Sequence, residues 1–341
     1  MPPFLKHTLT GLAAAMSVML SGCDAGILED GVPCDPSHSL TFRYDYNMLY
    51  TDIFNDAVTS IQVWGFDTDG RLAWTRSKEG AALARPDFSI GLDDIEPGTY
   101  TVVAWGGIGA GLRDRDFIVP DLEIGDHISD LTCSLYTEVP NVSDTDLKPL
   151  FFGRLENVVI HPKASEPRPG TLYNYEVPLL KNTNHIYIIL RDERGKDITL
   201  DNFVYALSES NGVMSHRNEL LDSETISYTP WQQQIGVLQT RDSQPGQKVA
   251  LADITTVRLM DERDNQLAIR GTDNVSIADF PLNDIILRYK ELQYPDMSDQ
   301  EFLDRQDEYV VELPVTDGRW LGAYLYINGW KIVLQDIDFE Q

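Results

Sequence analysis

Apolar and polar positions alternate with a period of two along most of the chain, the repeat of strands that bury one face. In "SLTFRYDY" the residues Leu40, Phe42, Tyr44 and Tyr46 share a side. "VTSIQVWGFD" continues the alternation through Ile61 and Val63, "DTDG" (Asp67 to Gly70) turns, and "RLAWTRS" returns, which predicts a hairpin. "DFSIGLDDI" is the next expected strand, and Pro97-Gly98 turns into another from Thr99 to Trp105. "PDLEIGD" and "ISDLTCSLYTEV" extend the pattern, and "LKPLFFGRLENVVIHPK" places apolar runs at Phe151–Phe152 and Val158–Ile160. Between Pro162 and Gly170 the alternation stops in a segment of three prolines and few apolar residues, the expected boundary between two domains near residue 166.

Beyond that break the period of two resumes. A strand is expected from His185 to Leu190 with a turn over Asp192 to Lys196, and "NFVYALSESNGVM" predicts a strand followed by a turn at Asn211-Gly212. "DITTVRLMDERDNQLAIRG" reads as a hairpin turning over Glu262 to Asn265, and "NVSIADFPLNDIIL" as a further strand pair. One segment differs. "MSDQEFLDRQDEYV" has Ser298 and Glu301 in capping-box spacing ahead of Phe302 and Leu303, which predicts a short helix. At the end, Leu321, Ala323, Leu325 and Ile327 lead into Asn328-Gly329, the strongest short hairpin signal, and Trp330, Ile332, Leu334 and Ile337 return.

Many short strands, spaced turns and one short helix predict a mainly β protein of two β-sandwiches. No repeat of about 20–50 residues is present, which argues against a solenoid or propeller. The division expected is 38–165 for the first sandwich and 166–341 for the second.

The first residues break the strand pattern in another way. Lys6 and His7 precede about a dozen mostly apolar residues, Leu9 to Leu20, whereas a membrane-spanning helix takes about 20. The run is the length of a cleaved export signal. It ends in Leu20-Ser21-Gly22-Cys23, which resembles the bacterial lipobox. There a cysteine thiol takes a diacylglycerol, the peptide is cut before it, and the new amino terminus is acylated. The expectation is a signal over 1–22, Cys23 as lipid attachment site, and an acidic, Gly- and Pro-containing tether over 23–37. Several acyl chains on one residue hold a protein stably at a membrane, where a single chain holds it marginally.

Composition adds limits. The chain has 341 residues, a hydrophobic fraction of 42% and a formal net charge of -27. That acidity argues against nucleic-acid binding, which needs a basic surface to displace phosphate counterions. With Cys23 acylated, Cys34 and Cys133 remain, and an exported chain meets oxidising conditions. A Cys34–Cys133 disulfide and a pair of separate thiols are both open.

Candidate chemistry is sparse. The six histidines form no HExxH pattern, no GxSxG occurs, and no Cys/His spacing suggests zinc. His185 opens a strand, where a hydrogen-bonded structural histidine is the ordinary case. Asp67 to Gly70 has the glycine fourth, not sixth as in a calcium loop, and reads as a β-turn. "AWGGIGAGLRD" (Ala104 to Asp114) lacks the lysine and hydroxyl of a P-loop. Paired carboxylates such as Asp93-Asp94 are common in so acidic a chain. No enzyme, metal or cofactor is expected.

The ordered set "LTFRYDYNMLYTDIFNDAVTSIQVWGFDTDGRLAWTR", "IEPGTYTVVAWGG", "LFFGRLENVVI", "VPLLKNTNHIYIIL", "FLDRQDEYVVELPV" and "YLYINGWKI" resembles the fimbrial anchor lipoproteins of Bacteroidia. The most telling pieces are Asn182-Thr183-Asn184 and Ile327-Asn328-Gly329-Trp330. The resemblance implies two tandem transthyretin-like β-sandwiches and an acylated Cys23 in the outer membrane. It implies a base subunit that attaches a fimbrium to the cell and limits its length, with a shaft subunit bound by strand complementation. The terminal hairpin, Leu321 to Phe339, either docks that partner or completes the second sheet. A surface adhesin or glycan-binding lipoprotein of the same fold is the alternative role.

Overall fold

The computed structural model describes residues 37–109, 116–162, 171–199, 203–238 and 246–334. Cys23, Cys34 and residues 335–341 lie outside this set, as do 110–115 of the glycine-rich segment and 163–170 of the expected boundary.

The first sheet has seven strands: β1 (Ser37–Arg43), β2 (Ser60–Phe66), β3 (Leu72–Glu79), β4 (Ile90–Gly91), β5 (Gly98–Gly106), β9 (Phe151–Ile160) and β10 (Leu172–Lys181), in the order β3-β2-β5-β9-β10-β1-β4. It forms two leaves joined through β10. Residues 172–178 of β10 run parallel to β1, and Leu179 to Lys181 pair antiparallel with β9. Pro178 sits at the switch, where a missing N–H is tolerated. Leu40, Phe42 and Tyr44 of the β1 segment meet Ile61, Val63, Trp74, Val102 and Val177 between the leaves. Gly65 makes room for this core. A Cβ there would lie 2.0 Å from the Trp74 ring.

The second half is a two-sheet sandwich. One sheet holds β15 (Gln232–Leu238), β16 (Gln247–Val257), β11 (Thr183–Asp192), β19 (Glu308–Thr316), β21 (Tyr324–Ile327) and β22 (Trp330–Val333) in that order, with β20 (Arg319–Trp320) paired to β19. The other is β18 (Ser276–Phe280), β17 (Gln266–Gly271), β12 (Phe203–Glu209), β14 (Ile226–Tyr228) and β8 (Val142–Ser143). A small sheet of β13 (Val213–Ser215), β7 (Thr132–Leu135) and β6 (Phe117–Ile118) lies between the halves. A four-residue helix α1 (Phe54–Ala57) belongs to the first half, and α2 (Leu282–Gln293) and α3 (Asp299–Arg305) to the second.

The mainly β expectation holds, and several local expectations are corrected. The crossover between large sheets is at Asn182, because β10 returns to the first sheet after the Pro-rich break. Asn211-Gly212 does not close a hairpin: β13 pairs with β7 of the first half. β16 and β17 also part company, joining β11 and β12 respectively. "PDLEIGD" forms no strand, and "DFSIGLDDI" contributes only the two residues of β4. The helix α3 starts as expected, with Ser298 Oγ accepting from the Glu301 N–H at 3.2 Å. The longer α2 was not expected from the strand-like run before it. Its Leu282, Ile285, Ile286 and Tyr289 follow a helical period and are all buried.

A single apolar cluster runs from the outer face of the first sheet (Trp64, Phe66, Trp105, Phe152) through Phe117, Leu131 and Cys133 into the second sandwich. Trp105 and Phe152 meet edge to face at 4.9 Å, a pairing worth about 0.5–1.5 kcal/mol beyond area burial. Cys133 is a fully buried free thiol in this cluster, and burial pushes its pKa up. We expect iodoacetamide to spare Cys133 in the native protein and to label it after denaturation without reductant, read by peptide mass spectrometry. Failure to label the denatured, unreduced chain would instead show it disulfide-bonded.

Glu209, at the end of β12, points into the second core at 1% exposure. One carboxyl oxygen accepts from Asn265 Nδ2 at 3.3 Å and the other has no partner. Burial pushes its pKa up to about 8. Between the ordinary carboxyl range and pH 8 the native state holds a proton that the unfolded chain has released, so stability falls as pH rises through that window. The Glu209→Gln variant should therefore gain stability relative to the parent as pH goes from 5 to 8, with no further gain above. A pH-independent difference in urea midpoints would contradict this.

Candidate functional site

The segment Asn182-Thr183-Asn184 occupies the point where the chain leaves one large sheet for the other. Asn182 is fully buried. Its N–H donates to the Leu150 carbonyl at 2.7 Å, and its side chain exchanges two hydrogen bonds with Asn218, at 2.6 and 3.0 Å. Thr183 Oγ1 accepts from the Leu150 N–H, and Asn184 Nδ2 donates to the Val257 carbonyl. Asparagine suits this place because one side chain can both donate and accept among backbone groups that strand pairing leaves over.

Around this pair is a charged seam. Arg258 grips Asp304 of α3 with two bonds of 2.8 Å and donates to the Asn218 carbonyl at 2.7 Å. Both side chains are nearly buried, at 12% and 5% exposure. Lys181 reaches Asp307 at 2.5 Å. Arg305 ends α3 and crosses to the first half. It lies 4.0 Å from the Tyr46 ring centroid and 4.7 Å from that of Tyr50, and donates to the Asp45 and Asn47 carbonyls. Tyr50 is held in the left-handed backbone region, at φ 51, which is costly for a bulky side chain. Asn47 fixes the same loop by donating to the Tyr44 and Thr51 carbonyls. No local motif could have revealed these residues: Arg258 and Asp304 are 46 positions apart, and Arg305 and Asp45 are 260.

The other weighted segment, Ile327 to Trp330, turns the terminal hairpin. Asn328 and Gly329 both have positive φ, 49 and 82. The Asn328 side chain accepts from the Val310 N–H at 2.8 Å. Leu325, Ile327, Ile332 and Leu334 face inward and are buried, so within the described residues the hairpin completes the sheet. Its outermost strand, β22, leaves Trp330 and Val333 about half exposed (52% and 53%). The sheet's opposite edge, β15, exposes Val237.

The other expected features are structural. His185 is half-buried with its ring stacked on Tyr187 at 6.0 Å. Asp67 to Gly70 forms the turn between β2 and β3, closed by a bond from the Gly70 N–H to the Asp67 carbonyl. Among the described residues no helix is long and apolar enough to cross a membrane.

The sequence family described as fimbrillin-A associated anchor proteins Mfa1 and Mfa2 matches residues 32–336. The chain belongs to this family of fimbrial anchor proteins. Among solved structures, a candidate adhesin from Bacteroides thetaiotaomicron is 29% identical, with a TM-score of 0.78 over 89% of this chain and 100% of that one. A candidate polysaccharide-binding protein from the same species is 23% identical (TM-score 0.74, 89% of this chain and 99% of that one). The fimbrial anchor protein Mfa2 from Porphyromonas gingivalis is 18% identical (TM-score 0.66, 88% and 100%) and shares the fold. No curated protein matches. As an anchor-family protein the chain is a structural component associated with fimbrial subunits.

For such an anchor the seam is the place where force applied to one half reaches the other. Replacing Arg258 by Met leaves Asp304 nearly buried with Gln300 as its remaining partner, a loss of about 3–5 kcal/mol for a broken buried pair. We expect Arg258→Met to lower the urea midpoint by that margin and the double variant Arg258→Met/Asp304→Leu to recover most of it. Equal loss in both would mean that the pair does not act as a unit.

Proposed function

We propose that the chain is the base subunit of a fimbrium, held in the outer membrane by acyl chains on Cys23, and that it attaches the polymer to the cell and ends its growth. The observation that carries this reading is the family match across residues 32–336, nearly the whole chain beyond the apolar leader. Leu20-Ser21-Gly22-Cys23 supports the membrane end, with residues 1–22 removed and 23–37 as a tether. The tether is short because β1 begins at Ser37, paired along its length with β10.

The fibre end works by strand complementation, in which an extended segment of a shaft subunit pairs with an open edge. The outer edge of β22 offers unpaired backbone beside exposed Trp330 and Val333. An anchor whose own core is already filled, as Leu325, Ile327 and Ile332 fill this one, accepts one partner and offers no vacant groove to another. The resemblance to a candidate adhesin at 29% identity favours a second role, binding of surface glycans, which a glycan array with the purified chain would detect.

The decisive experiment is Cys23→Ser in the native cell. We expect loss of metabolic palmitate labelling, loss of the protein from the outer-membrane fraction, and fimbriae shed into the medium. Retained labelling and membrane residence in the variant would falsify the lipid assignment. Fimbriae of normal length and attachment after complete deletion of the protein would sink the anchoring role itself.

A further inference from the structure

In a chain of net charge -27, basic side chains converge at one cleft on the seam between the halves. The cleft has a volume of about 300 Å3. Thr99 and Thr101 of β5 and Arg154 of β9 line it from the first sheet, Thr68 from the β2–β3 turn, and His216 and Arg217 from the turn after β13. The two arginines thus come from opposite sides of the Asn182 crossover.

These cations are under-compensated. Arg154 has one carboxylate, Glu156, at 2.9 Å from a terminal nitrogen. Its Nε is buried without a hydrogen-bond partner. A buried guanidinium N–H without an acceptor is costly, because water has been removed and nothing has replaced it. The Arg217 side chain is exposed and is bonded to no acceptor among the described residues; only its backbone N–H is engaged, with Ser215 Oγ. Between them, half-buried His216 has its pKa lowered, by burial first and then by Arg154 and Arg217, with Glu219 opposing and His127 adding to the repulsion. The acidic residue in the lining, Asp67, is occupied: its Oδ1 accepts from the Asp69 and Arg71 N–H groups at 2.9 and 2.8 Å. Like charges are therefore crowded into a concave site with hydroxyl donors around it and little negative charge to spare.

We propose that this cleft binds an oxyanion group, the sulfate, phosphate or carboxylate of a small ion or acidic sugar, between Arg154 and Arg217. Arginine presents its N–H groups in a planar fork that matches two oxygens of such a group, and charge-assisted bonds of this kind are the strong ones. The threonine hydroxyls supply further donors. Because Arg154 and Arg217 lie on different halves, the bound anion ties β9 to the turn after β13 and stabilises the seam.

The test uses the full chain in detergent, titrated with sodium sulfate, sodium phosphate or sodium glucuronate against sodium chloride of equal ionic strength. Calorimetry gives the affinity and thermal unfolding gives the shift in Tm. We expect saturable binding of at least one oxyanion with a rise in Tm, and affinity that strengthens from pH 7.5 to 6 as His216 takes up a proton. Arg217→Ala should weaken binding tenfold or more and leave the ligand-free Tm unchanged, since the side chain is exposed. Arg154→Gln should weaken it as well. Glucuronate alone binding identifies a carboxylated sugar as the source; sulfate or phosphate alone binding identifies the inorganic ion or its ester. No saturable binding of any of the three, or binding unaffected by Arg217→Ala, overturns the proposal.

Discussion

The reciprocal amide pair of Asn182 and Asn218 is the constraint on which the two halves depend. It sits where the chain passes from the last strand of one large sheet to the first of the other. At such a point the backbone must satisfy its polar groups without a continuous ladder, and neither side chain has water to fall back on. Each amide bond contributes only about 0.5–1.5 kcal/mol net, but losing one partner leaves buried donors and acceptors unpaired at a higher cost. Arg258 extends the same logic. It grips Asp304 with two nitrogens and caps the Asn218 carbonyl with the third, so helix α3, the end of β16 and the turn after β13 are fixed by one guanidinium.

From that point outward the halves are interleaved. β7 from the first half pairs with β13 from the second, and β8 adds a parallel strand to the second half's five-stranded sheet. Thr255 Oγ1 accepts from the Leu147 N–H and donates to the Thr145 carbonyl, stitching the connecting segment down. The apolar cluster beneath is continuous from Trp64 to Leu334. Separating the halves would expose that surface and break backbone pairing at once. A subunit under tension gains from this arrangement, because no flexible linker stands between the end that meets the membrane and the end that meets the fibre.

What could be read in the sequence follows from how local each signal is. Asn328-Gly329 and Asp67 to Gly70 are turns because their own residues adopt positive φ or accept from their own backbone, and both were legible. The alternation of Leu40, Phe42 and Tyr44 was legible for the same reason. The partner of a strand was not. "NG" at Asn211 predicts a hairpin, yet Asn211 is fully buried, its side chain spent on the Val257 and Arg258 carbonyls and the Tyr228 hydroxyl, and the next strand pairs 79 positions upstream. β10 was missed because Pro178 and exposed, polar Asn174 and Glu176 disguise a strand that changes partner midway. At the seam, Arg258, Asp304 and Arg305 carry no sequence signal, since an ion pair across tens of residues has no spacing rule to betray it.

The seam also bears on how an anchor can hold a fibre. β22 is the last described strand of a sheet whose centre, β11 and β19, runs parallel and packs against the opposing sheet. Its inner side chain Ile332 is locked in the core, while its outer edge and the exposed Trp330 remain available. A strand added there would pull on β22, then on β21 and β19, and through Asp307 and Lys181 on β10 of the first sheet. β10 in turn pairs with β1, which begins at Ser37, the described residue nearest Cys23 in sequence. The path from fibre edge to tether therefore runs through laterally paired strands and one buried charged seam, and the seam is the step on that path with no backbone ladder of its own.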